Sequence, residues 1–179
     1  MRYSDMVITH DIVRPGAQAD AHISSRRTAV RAVIGTSRRL LMIYSPVNRD
    51  YKFPGGGLEP GESHEDALRR EVMEEAGMRV IGITCKVAEI TEHCRPRDGL
   101  SGQFLMVSHY YACEIDDDTI HEQKLDDYEE DLAFSPVWIP LGTAIAANKA
   151  RLHEPDPPRW TPRDTWFLEQ LSKRRILGS

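Results

Sequence analysis

The chain has 179 residues, enough for one domain with its own hydrophobic core. Apolar residues make up 40%, charged residues 28%, and the net charge is −5. This excludes a wholly disordered chain and disfavours a basic nucleic-acid-binding module. No apolar run approaches the roughly 18 residues of a membrane span, and the first 30 residues lack a secretion-signal stretch, so no membrane association is expected. The three cysteines, Cys85, Cys94 and Cys113, form no CxxC pair. That favours a reducing, cytoplasmic setting over a disulfide framework or a zinc site.

In chain order, Met6–Val13 and Arg27–Gly35 read as strands rich in Val, Ile and Thr, separated by the Pro15-Gly16 region. Leu40–Ser45 is a third strand. Tyr51–Pro54 is short and extended, because the residue before a proline avoids the helical region. Gly55, Gly56 and Gly57 follow. A helix is expected from Ser63, a good N-cap, to Ala76, with Gly77 as its left-handed terminator. Strands near Val80–Thr91 and Gln103–Ile115 flank a loop at Arg95–Gly102. A strand at Pro136–Ile139, a short helix at Leu141–Asn148 and a last helix capped by Thr161 with Pro162 at its first position complete the chain. Such an order predicts a single α/β or α+β domain with a mixed sheet.

The charge is unevenly distributed. Glu114–Asp131 holds ten acids and one base, and Gly56–Met78 seven acids and two bases, so the remaining residues carry a surplus of +9. The first segment reads as a solvated loop. In the second the acids fall at fixed spacings. On a helical wheel Leu68, Val72 and Ala76 form one buried stripe. Glu71, Glu74 and Glu75 occupy the adjacent arc, at i,i+3 and i,i+4 spacing. Like charges about 5–6 Å apart repel by ~3 kcal/mol per pair at an effective dielectric near 20. A cluster beside a packing stripe therefore needs a positive partner. A divalent cation answers that need, and all-oxygen donors without His or Cys point to Mg²⁺, with Mn²⁺ as substitute. Arg70 is placed to orient the carboxylates, and Glu62 to pair with Arg70. A plain acidic helix facing solvent would carry the same three glutamates.

The wider pattern decides between these readings. Gly56, five residues, Glu62, seven residues, Arg70-Glu71-Val72, one residue, Glu74-Glu75, one residue, Gly77-Met78 resembles the Nudix box of the Nudix hydrolase superfamily, with every fixed position filled. Phe53-Pro54-Gly55-Gly56 before it is similar as well. The resemblance implies a Nudix fold of the α/β class, an α/β/α sandwich with a mixed β-sheet. It would form a single domain over residues 1–179, with a core at about 27–150, an N-terminal strand arm and a C-terminal helix at 162–174. It implies Mg²⁺-dependent hydrolysis of a pyrophosphate bond in a nucleoside diphosphate linked to another moiety: a nucleoside triphosphate, ADP-ribose or a nucleotide sugar. Dinucleoside polyphosphates and capped RNA ends are further candidates. By position, Glu71, Glu74 and Glu75 are implied as metal ligands, with the Gly55 carbonyl as one more. Glu71 is also a candidate base, and Glu62 and Arg70 are support. The alternative is a Nudix-like module that senses a nucleotide without cleaving it.

Outside the box, Glu130 in Tyr128-Glu129-Glu130-Asp131 is the candidate for a further carboxylate ligand. Arg27, Arg31, Arg49 and Lys52 are candidates to touch substrate phosphates, since arginine matches a phosphate bidentately. The expected partner is a small nucleotide. No DNA-binding module is expected, and a homodimer is left open. No GxxxxGK[ST] motif is present, which excludes a P-loop enzyme.

Overall fold

The structure is a computed structural model that describes residues 7–36, 38–96, 101–116 and 121–174. Parts of two segments singled out above, 97–100 and 117–120, lie outside the described residues. Strands β1 (Ile8–Val13), β2 (Ile23–Val33), β5 (Arg79–Cys94) and β6 (Gln103–Asp116) form one sheet in the order β1-β5-β6-β2. It is mixed: β1 runs parallel to β5 and β2 parallel to β6, while β5 and β6 are antiparallel. Strands β3 (Leu40–Ser45), β4 (Asp50–Lys52) and β7 (Ser135–Ile139) form a second sheet in the order β4-β3-β7. The Leu41 amide donates to the Ile34 carbonyl at 2.9 Å, which joins β3 to the end of β2.

Alternation along β2 and β3 creates two cores, because successive side chains point to opposite faces. Val30, Ala32, Ile34, Leu41 and Ile43 pack on one face against Ala67, Leu68, Val72 and Ala76 of α1 (His64–Ala76). Val33, Leu40 and Met42 pack on the other against Ala144 of α3 (Leu141–Leu152) and Phe167, Leu168 and Leu171 of α4 (Trp160–Arg174). Helices thus cover both sides of the strand layer, which is the expected α/β/α arrangement. No described helix is long and apolar enough to cross a membrane.

Several elements differ from the sequence expectation. β2 begins at Ile23, because pairing with Gln103 and Phe104 extends it beyond Arg27. α3 runs past Asn148 to Leu152. Asn148 is buried, and its side chain accepts from the Tyr51 amide at 2.8 Å and donates to the Tyr51 carbonyl at 2.9 Å, so it serves β4 as a strand partner would. Thr161 lies inside α4 and donates its hydroxyl to Asp50 at 2.6 Å. A short helix, α2 (Asp127–Asp131), occupies the end of the acidic segment.

Candidate active site

Three pieces of local structure converge on the glutamates. First, β4 pairs antiparallel with β3, Lys52 opposite Ile43, which buries Lys52. Second, the loop after β4 runs alongside β2: the Val30 amide donates to the Gly56 carbonyl at 2.9 Å and the Ala32 amide to the Pro54 carbonyl at 2.8 Å. Third, α1 starts at Ser63, whose hydroxyl accepts from the Asp66 amide at 3.1 Å, and ends at Gly77 in the left-handed conformation, φ 64°. Leu68, Val72 and Ala76 are fully buried, as the wheel requires. The same helix turn brings Glu71 and Glu75 against the glycine loop.

The glutamates divide into two sets. Glu71 and Glu74 share one nitrogen of Arg70, Nη1, at 2.9 and 3.1 Å. Arg70 also grips Glu62 with two parallel bonds of 2.8 Å and donates to the Gly57 carbonyl at 3.2 Å. The pairing holds the Glu62 carboxyl down at about 2. Glu71 is only 9% exposed and lies directly on Gly56, where a β-carbon would collide with both carboxylate oxygens. Burial raises its pKa against the pull of Arg70, Arg31 and Lys52. Glu75, fully buried, is held apart: Lys52 Nζ binds Oε1 at 2.6 Å and the Gly55 amide donates to Oε2 at 3.0 Å. Burial pushes its carboxyl up to about 7.

The positive partners that the cluster demanded are therefore two protein cations, Arg70 and Lys52. Among the described residues no group of three or more His, Cys, Asp or Glu is spaced to hold a metal ion. The donor chemistry of Glu71 and Glu74 nevertheless fits a hard divalent cation. Two carboxylates already converge on one positive nitrogen, and the buried one is under-compensated in its ionised form. Each oxygen of Glu75 keeps a further lone pair beyond the bond it now accepts.

The other candidates separate. Glu130 is exposed, whereas Glu129 beside it is buried, 3.8 Å from Lys52 Nζ, with Tyr128 donating to it at 2.8 Å. The signal for this orientation was in the sequence. Asp126 precedes Glu129 by three residues, and its amide donates to Glu129 Oε2 at 3.1 Å, a capping-box bond that turns Glu129 inward. Arg49 is not brought to the glutamates; it is exposed and pairs with Glu154 at 2.5 Å. Arg31 is buried, donates to the Val30 carbonyl at 3.1 Å, and leaves Nε without a partner. Arg27 is exposed and sits against Gly57.

The NUDIX domain model matches residues 25–163, which includes most of β2, strands β3 to β7, α1 and the glycine loop but not β1. The chain belongs to the NUDIX domain family. Among curated Nudix relatives it is 31% identical to the nucleoside triphosphatase NudI of Enterobacter sp. (strain 638), over 49% of this chain and 68% of that protein. It is 33% identical to the RNA pyrophosphohydrolase of a Nitratiruptor species, over 48% of this chain and 60% of that protein. The fold matches the solution structure of the E. coli ORF135 protein with a TM-score of 0.54 and 20% identity, over 84% of this chain and 94% of that one. As a Nudix hydrolase it acts on a phosphorus anhydride.

Proposed function

We propose that the chain hydrolyses the pyrophosphate bond of a nucleoside diphosphate linked to another moiety, in a nucleoside triphosphate, ADP-ribose or a nucleotide sugar, with Mg²⁺ as cofactor and Mn²⁺ as substitute. The observation that carries this reading is the Glu71 carboxylate, buried on Gly56 and sharing Arg70 with Glu74. Glu71 and Glu74 would hold the cation, with Glu75 and the Gly55 carbonyl adjoining and Glu129 in reserve behind Lys52. When bound, the cation supplies charge neutralisation on the pyrophosphate and a more acidic water.

The chain's own residues do the rest. Arg70, anchored by Glu62, fixes the two carboxylates in one orientation. Gly56 leaves room for the Glu71 carboxylate. Glu71 is positioned to take a proton from an attacking water. Lys52 holds Glu75 inward.

The test is a panel of nucleoside triphosphates, ADP-ribose, nucleotide sugars and 5′-triphosphorylated RNA, assayed for release of a monophosphate or diphosphate product. EDTA should abolish turnover and added Mg²⁺ restore it. Glu71→Gln should lower kcat by at least ~10²-fold with an unchanged unfolding midpoint. Full activity in folded Glu71→Gln would overturn the assignment. Tight binding across the panel without turnover would identify a nucleotide sensor instead.

A further inference from the structure

The carboxylates of the site differ in how many of their oxygens are already engaged. Glu75 accepts from Lys52 on Oε1 at 2.6 Å and from the Gly55 amide on Oε2 at 3.0 Å. Glu129 accepts from the Tyr128 hydroxyl on Oε1 at 2.8 Å and from the Asp126 amide on Oε2 at 3.1 Å. All four oxygens of this pair thus have a donor. Glu71 and Glu74 engage one oxygen each, both on Arg70 Nη1. Among the described residues no donor reaches Glu71 Oε2 or Glu74 Oε1, and both atoms touch solvent. Arg70 itself is committed to Glu62 by two bonds.

Lys52 stands between the two engaged carboxylates. Its ammonium is 2.6 Å from Glu75 and 3.8 Å from Glu129, and all three side chains are buried. The strand ladder fixes where it starts, since β4 pairs with β3 at Lys52 and Ile43. The Phe134 ring lies 4.7 Å from the ammonium, a cation–π contact. The Phe134 amide donates to the Glu129 carbonyl at 3.1 Å, so ring and carboxylate arrive as one unit. A divalent ion joining Glu75 to Glu129 would need the same ground, because Mg²⁺ binds oxygen at about 2.0–2.1 Å. Beside a buried ammonium it would also meet like charge in a poorly screening medium. No such obstacle stands at the open oxygens of Glu71 and Glu74.

We propose that Lys52 is a built-in cation of the site: its ammonium takes the place of a second divalent ion between Glu75 and Glu129, and limits the protein alone to one exchangeable Mg²⁺ or Mn²⁺ at Glu71 and Glu74. Lys52 is then a positioning residue that sets the metal content, not a contact to substrate phosphate. Removing its charge leaves two buried carboxylates uncompensated, and a metal ion is the partner that restores the balance. The proposal rests on the hydrolase reading for the cation at Glu71 and Glu74.

Mn²⁺ alone, added to the full chain without nucleotide, tests it without turnover; free Mn²⁺ is read by electron paramagnetic resonance. Wild-type protein should bind one Mn²⁺ per chain. Lys52→Gln should bind two, and Lys52→Gln combined with Glu129→Gln should return to one. Lys52→Arg, which keeps the charge, should stay at one. Mn²⁺ should raise the thermal midpoint of Lys52→Gln more than that of wild type. If Lys52→Gln does not fold, two single variants decide. Glu129→Gln should keep one ion with Kd within threefold of wild type, and Glu74→Gln should weaken binding at least tenfold. Two ions on wild type, one ion on folded Lys52→Gln, or a tenfold loss in Glu129→Gln overturns the proposal. Turnover of the nucleotide panel with two ions on wild type sinks the proposal alone. The expected ion counts without any turnover sink the hydrolase reading alone.

Discussion

The two faces of the strand layer are made by alternate residues of the same strands and are finished in opposite ways. The face under α1 is closed by aliphatic packing: Val30, Ala32, Leu41 and Ile43 against Ala67, Leu68 and Val72. The face under α4 is apolar at its centre but carries a buried ionic network of Glu92, Arg163, Asp164 and Tyr110 at its edge. Apolar packing needs only volume and burial, and it holds α1 so that its flank presents Glu71 and Glu75. The ionic network needs each charge to meet its partner, because a desolvated charge left alone costs far more than the pair gains. One face fixes the carboxylates in place, and the other holds a desolvated arginine by paired charges.

That contrast can be broken from either side. Asp164 is fully buried; its Oδ1 accepts from Tyr110 at 2.6 Å and from Arg163 at 3.0 Å, and its Oδ2 from the Phe53 amide at 3.2 Å. Asp164→Leu should destabilise the fold by about 3–5 kcal/mol in urea unfolding, since it strands a buried guanidinium and an amide. Adding Arg163→Met should recover part of the loss, as expected of coupled partners. A loss below about 1 kcal/mol in the single variant would mean that the network is solvated rather than buried. On the other face Leu68→Ala removes a fully buried side chain and should cost about 2–5 kcal/mol, with no partner whose removal compensates. Recovery by a second deletion there would erase the distinction between the faces.

How legible each region was in the sequence follows from the same contrast. The α1 face was readable because its information is local. Leu68, Val72 and Ala76 recur at helical spacing, Ser63 and Gly77 bracket the helix, and the fixed spacing from Gly56 to Met78 names the family. The α4 face was not. Arg163 lies 71 residues from Glu92 and 53 from Tyr110, so no window along the chain contains the network. The same limit explains Asn148, whose partner Tyr51 is 97 residues away, and Thr161, drawn into α4 by its bond to Asp50. At the glutamates the spacing indicated a need for positive charge, and the structure meets it with Arg70 and Lys52. Lys52 comes from a different element, and its approach to Glu75 depends on how β4 pairs with β3.

The smallest expected effect probes the place where the α1 face stops being apolar. His109 on β6 packs against His64 at the start of α1, the rings tilted by 45° with centroids 4.6 Å apart, and its Nδ1 lies 3.3 Å from Glu89. Lys86 and Arg26 also face it, and Tyr111 bonds His64 at 2.8 Å. Burial, reinforced by Lys86 and His64, pushes the His109 pKa down to about 4 against the opposing pull of Glu89. The unfolded chain binds this proton below about 6.5, and the folded chain only below about 4. Between those values the unfolded state holds more protons, so stability rises with pH there and is lost as pH falls from 6.5 to 4. With its partial solvent access the contribution should be about 1–2 kcal/mol, measured as the change in unfolding free energy across that interval. His64, shifted in the same direction by its own burial, adds to the slope. His109→Gln should flatten the profile while leaving stability above about pH 7 nearly unchanged. An unaltered slope in that variant would show that His109 does not carry the acid sensitivity.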